Sequence, residues 1–293
     1  MKEQVQAHLE NRLAHLIGRG IDREFEDIEQ KKAQLAKRNA GIVKVKADAK
    51  VTRTEQKGSH SFLYYQVHMQ YVIKQKSTFY IEEALEERRA SFYEGRLYED
   101  EEMVPAYPDF HGKNPDIGEM RAAENVDVRI PYVYDRLKAV QYAEKWWNSF
   151  NPAYKSFTDD CTNFISQCLH AGGAPMRGYP DRNKGWWMQN NNWSYSWTVA
   201  HSFKTYLQYS KAGLRAKEVS SPQELKYGDV ICIDFQGDGR FDHSLIVTGY
   251  DYYGMPLVNA HTTNSRKRYW TYEDSSAYTP NIRYKFFTIE DDS

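Results

Sequence analysis

The chain opens with apolar residues at helical spacing. Val5, Leu9, Leu13, Leu16 and Ile17 recur every three or four positions, which predicts a helix over 3–17. Gly18 and Gly20 interrupt it. A second helical stretch over 22–38 carries Phe25, Ile28 and Leu35. The period then falls to two. Val43, Val45, Ala47, Ala49 and Val51 alternate with Lys44, Lys46, Asp48, Lys50 and Thr52, as a half-buried strand requires. Leu63, Tyr65, Val67, Met69, Tyr71 and Ile73 repeat the pattern after a turn over 55–61. Two more short strands fit between Thr78 and Tyr98, although the Glu/Arg-rich middle also reads as helix. From Glu99 to Pro131 periodicity fades, and four prolines and an acidic cluster mark a linker.

Periodicity returns in the second half. Val133, Leu137, Val140, Ala143, Trp147 and Phe150 form one helical stripe, ended by Asn151-Pro152. A helix beginning at Cys161 runs to Gly172-Gly173. An aromatic, Asn-rich loop spans 178–196, and a further helix covers 198–212. Strands follow over 230–235, 243–250 and 257–262, separated by glycine turns. The layout predicts an α+β chain. It divides into an accessory α+β domain over 1–102, a linker over 103–131, and a second domain over 132–293, with helices first and then an antiparallel sheet.

Composition adds exclusions. A length of 293 residues allows one large domain or two ordinary ones. A formal net charge of -1 gives no electrostatic reason to expect nucleic acid. No apolar run approaches the roughly 18 residues of a membrane span, and the N-terminus does not resemble a secretory signal. The chain as written is therefore expected to be soluble and cytoplasmic. Three cysteines rule out a disulfide scaffold.

One constellation carries chemistry. Asp159-Asp160-Cys161 places a thiol at a helix start, with Asp160 as the natural N-cap. Phe241-Asp242-His243 places an imidazole at a strand start. A thiol and an imidazole so placed suit nucleophilic catalysis, with Cys161 attacking and His243 as base. The helix dipole and a nearby imidazolium would lower the thiol pKa, whereas the aspartates would raise it. Two-residue alternation puts His261 and Asn259 on one strand face, where either could orient His243; His261 is the first choice. The Cys161 backbone N–H is the expected oxyanion donor, and Tyr154 a second. Trp186, Trp187 and Trp193 could line a substrate wall, or else pack as a lid over a small core. Cys168 and Cys232 read as core residues. The spacings of Cys161, His243 and His261 lack HExxH or CxxC, so neither a metal nor an organic cofactor is expected.

The strings DCTNFISQCLHAGG, LKYGDVI, DHSLIVTGYD and PLVNAHT resemble the bacterial putative amidase domain, a branch of the papain-like NlpC/CHAP cysteine peptidases, over about 132–290. The resemblance implies a papain-like fold and a Cys–His–polar triad of Cys161, His243 and His261. Relatives often carry Glu or Asn at the third position, so Asn259 stays open. It also implies hydrolysis of amide bonds in cell-wall peptides, so a peptide or peptidoglycan-type substrate is expected. A wall substrate would call for a route out of the cell without a signal, such as mother-cell lysis in a spore-former. Two rival functions remain: a peptide- or glycan-binding domain with a vestigial triad, and an acyltransferase of transglutaminase type.

Overall fold

A computed structural model describes residues 1–20, 25–103 and 129–293. They form two compact units, one of residues 1–103 with 263–276, the other of 129–262 with 277–293. Most of the expected linker, and the start of the second expected helix, fall outside the described residues.

The first unit begins with helices α1 (Lys2–Leu16) and α2 (Glu26–Lys37). Val5, Leu9 and Leu16 of α1 and Ile28 and Leu35 of α2 are buried. A meander follows: β1 (Ala40–Lys57), β2 (His60–Gln75), β3 (Thr78–Tyr93) and β4 (Arg96–Glu102). Every second residue of β2 from Leu63 to Gln75 is buried, so alternation reports its core face faithfully. The Glu/Arg-rich stretch over 80–90 is strand, not helix. Its charges pair across strands: Arg88 donates to Asp100 and Arg89 to Glu101. The acidic cluster Glu99–Glu102, which reads as linker, is thereby part of β4. Segment 263–276 supplies a further strand, Ser265–Tyr269, paired with β3 through Ser265↔Ala84 and Arg266↔Glu83. Below it lies a buried charge cluster. Lys31 donates to Glu82 and, at 3.0 Å, to Asp274, and Arg268 donates to Asp274 at 2.8 Å. Burial pushes the Asp274 carboxyl pKa up, but Arg268 and Lys31 pull it well below the usual carboxylate range.

The second unit holds a five-stranded antiparallel sheet. In spatial order its strands are Pro256–Ala260, His243–Tyr250, Val230–Asp234, Arg283–Glu290 and Arg215–Val219. Helices α3 (Arg136–Trp146), α4 (Cys161–Ala171), α5 (Tyr195–Thr198) and α6 (Ala200–Tyr209) complete it. Among the described residues the chain is therefore α+β with antiparallel sheet and six α-helices. Helix α3 is shorter than its apolar stripe suggests. Val133, Leu137 and Phe150 are exposed, while Ala139, Ala143 and Trp147 are buried. Helix contact is made through alanines four residues apart, whose small side chains allow close approach and carry a weak hydropathy signal.

Helix α4 is buried from Cys161 to Leu169. Such a helix must satisfy every polar side chain internally. Asn163 donates to Lys155 O at 2.9 Å, Ser166 to Trp197 O at 2.9 Å, and Gln167 Oε1 accepts from the Tyr142 hydroxyl at 2.7 Å. The aromatic loop and the helix after it supply more of these partners, with Trp186 Nε1 donating to Ser166 Oγ and Trp197 Nε1 of α5 to Asn163 Oδ1, both at 2.9 Å.

Candidate active site

The site is built where α4 begins. Asp160 stands at the N-cap, but its carboxylate does not bond the backbone of the first turn. This corrects the expected capping role. Oδ1 instead accepts from Phe157 N–H at 3.0 Å and from the Asn163 amide at 2.9 Å. Oδ2 meets His261 Nδ1 at 2.8 Å. The backbone N–H groups of Asp160 and Cys161 both donate to Thr262 Oγ1, each at 3.2 Å. A hydroxyl from another segment thus satisfies the N–H groups of the N-cap residue and the first helical residue.

The Cys161 thiol is buried. Its Sγ lies 3.7 Å from Thr162 Oγ1 and 4.0 Å from the carbonyl oxygen of Asp242, in the peptide that joins Asp242 to His243. Thr162 Oγ1 in turn sits 3.1 Å from Ser244 Oγ. The thiol therefore abuts the opening residues of the strand His243–Tyr250. Burial pushes its pKa up to about 11, opposed by hydrogen bonds from Thr162 and the Ser244 backbone and reinforced by the Asp160 charge. The lowered value expected from the helix terminus is not found, because desolvation outweighs a dipole worth about 0.3–1 kcal/mol. Cys232, pushed by burial up to about 12, and Cys168, likewise pushed well up by burial, lie in the core, and all three thiols are free.

His243 is fully buried at its strand start, opposite Ile233 of the neighbouring strand and with Phe235 stacked 6.2 Å away. The loop leading to it is anchored by His201, whose Nδ1 accepts from Phe241 N–H at 3.3 Å. Asp242, one residue earlier, has its pKa raised to about 6 by burial, with Asp234 and Asp238 adding to the effect.

His261 and Asn259 diverge in their partners. His261 faces Asp160 through Nδ1 and the Trp146 carbonyl through Nε2, the latter at 2.7 Å, and stacks on Phe164 with centroids 4.0 Å apart. His261 thus braces the N-terminus of α4. Asn259 accepts from Thr248 at 2.7 Å and donates to Glu144 at 3.1 Å, in a separate polar group.

The other expected site residues scatter. Trp186 and Trp187 have no exposed surface, and the Trp187 indole donates to Lys184 O at 3.0 Å. They cannot line a substrate wall as the structure stands, because each indole is spent on the core and its hydrogen bonds. Trp193 is half-buried, edge-on to Phe157 at 4.9 Å and beneath the Arg182 guanidinium. Tyr154 stacks on Trp197 at 6.2 Å. Two residues that sequence reasoning passes over, Thr262 and Ser244, touch the site. Each directly follows a singled-out histidine, which is the only signal for them. Among the described residues no group of His, Cys, Asp and Glu could hold a metal ion, and no helix is long and apolar enough to cross a membrane.

The chain is similar to known proteins. Residues 133–287 match a family described as a putative amidase domain. The uncharacterized protein YhbB of Bacillus subtilis (strain 168) is 55% identical over 255 residues, covering 86% of this chain and 82% of its own. The uncharacterized protein YjcM of the same organism is 35% identical over 141 residues, 45% of this chain and 31% of its own. No solved structure matches.

Proposed function

This chain belongs to the putative amidase domain family, and on that footing we propose that it is a cysteine-dependent hydrolase of amide bonds in cell-wall peptides. One observation carries the cysteine mechanism. Cys161 opens a buried helix with its thiol 4.0 Å from the carbonyl oxygen of Asp242, directly before His243. A nucleophile, a base one residue from its contact point, and a helix-start N–H are the parts that acyl transfer needs. A helix bearing the thiol, packed on an antiparallel sheet bearing the imidazole, also favours a papain-like arrangement.

A thiol pushed up to about 11 is protonated near neutral pH, so the proton must leave during the attack. Cys161 Sγ adds to the amide carbonyl carbon while its proton passes to His243. The carbonyl π pair moves onto oxygen, facing the N–H of Cys161. As that pair returns, the C–N bond breaks and the amine takes the proton from His243. Water, losing a proton to His243, then attacks the thioester. The C–S bond breaks and the thiolate recovers that proton. His261 serves as a positioning residue, holding the first turn of α4 through Asp160. Asn259, engaged with Thr248 and Glu144, is the lesser candidate for the third role.

The test is Cys161→Ala. It should abolish hydrolysis of soluble muropeptides while the thermal melt stays near wild type. Retained turnover in that variant overturns the reading.

A further inference from the structure

Thr262 is held in an unusual state at this site. It is β-branched yet sits at φ 78°, a left-handed conformation that such side chains resist. His261 before it is fixed by Asp160 and Trp146 O, so the chain has little freedom to relax there. The outcome of this strain is specific. The Thr262 hydroxyl oxygen is brought to 3.2 Å from two successive N–H groups, those of Asp160 and Cys161, at the first turn of α4. Successive N–H groups converging on one point form an anion-binding nest. The carbonyl oxygen of a substrate attacked by Cys161 would need these same donors as it becomes an oxyanion. Strained backbone concentrates where a fold holds a functional element ready to move.

We propose that Thr262 occupies the oxyanion hole of the free enzyme, its hydroxyl standing in for the substrate's carbonyl oxygen and withdrawing when substrate binds. The proposal rests on Cys161 being the nucleophile. It explains how a buried pair of N–H groups stays satisfied between turnovers, and why a β-branched residue is kept where glycine would fit without strain. Relaxing residue 262 toward the extended region removes the hydroxyl and exposes both donors together. Binding therefore competes with an internal ligand, which raises KM without altering the chemical step.

The experiment is steady-state kinetics on one soluble muropeptide with wild type, Thr262→Val, Thr262→Ser and Cys161→Ala. Valine keeps the shape and deletes the oxygen. It should lower KM about tenfold, the worth of roughly one net hydrogen bond, with kcat unchanged within about twofold. Serine keeps the oxygen and should behave as wild type. If Thr262→Val fails to fold, Thr262→Ala should also lower KM, though by less, because a water can take the hydroxyl's place on the two donors. An unchanged KM in the variants lacking the hydroxyl, or a kcat that falls in them, overturns the proposal, since a merely supporting hydroxyl would give the second pattern. Turnover that survives Cys161→Ala instead overturns the nucleophile reading, and absence of turnover in wild type overturns both.

Discussion

Asp160→Ala removes more than a cap. The carboxylate accepts from Phe157 N–H at 3.0 Å, the Asn163 amide at 2.9 Å and His261 Nδ1 at 2.8 Å, and the residue is 2% exposed. Alanine leaves the Phe157 donor without this acceptor and unpairs a buried imidazole. Each unsatisfied buried donor costs about 1–3 kcal/mol. With the Phe157 and His261 donors both affected, a loss of about 2–5 kcal/mol is expected. For a unit of this size that lowers Tm by on the order of 10 °C. Asp160→Asn should cost less, because its Oδ1 still accepts and its amide can donate to a neutral His261 that keeps its bond to Trp146 O. Urea denaturation of wild type and both variants measures the order. A loss below about 1 kcal/mol for alanine, or asparagine as damaging as alanine, would refute the bracing role of the Asp160–His261 pair.

Other outcomes follow from the same physics. Iodoacetamide should label Cys161 before Cys168 or Cys232, and its rate should rise about tenfold per pH unit up to the thiol pKa of about 11; mass mapping across pH checks this, and a plateau near neutral pH would mean a preformed thiolate. Asp242 has a folded pKa raised from 3.8 to about 6. Its contribution to stability is thus full below 3.8 and lost as pH rises through 6, so Asp242→Asn should flatten that part of the Tm profile. Asp274 is shifted the other way, so its contribution is present above 3.8 and lost as pH falls through its depressed folded value. Asp274→Ala should cost about 3–5 kcal/mol in denaturant melts, because buried Lys31 and half-buried Arg268 lose their shared partner. Trp186→Ala should cost about 3–5 kcal/mol in denaturant melts, because the buried indole fills the core and donates to Ser166, and a loss below about 1 kcal/mol would contradict that core role.

Local rules explain what the sequence makes legible. Alternation over 43–51 and 63–73 marks strands because one face of each is buried and the other is not. The start of α4 at Cys161 follows from the change of period and from the acidic residues before it. Long-range partners hide the rest. No local feature tells that Asp160 will turn from the helix to His261, a hundred and one positions on. The basic run Arg266-Lys267-Arg268 reads as a solvated edge, yet Arg268 is half-buried against Asp274 and Arg266 pairs with Glu83. The Trp-rich loop looks like a binding surface because indole carries a polar handle as well as area. Its handles are used inward, on Ser166 and backbone carbonyls. Desolvation of Cys161 is likewise a tertiary effect, invisible in a motif that only marks a helix start.

Cys161 is proposed to perform amide hydrolysis. Mass spectrometry of muropeptides and generic peptides, incubated with wild type and Cys161→Ala with and without added amine, tests it most directly. Wild type should give water-cleaved products from muropeptides, and Cys161→Ala none. Cleavage that persists without the thiol, or aminated products replacing hydrolysed ones, would contradict it.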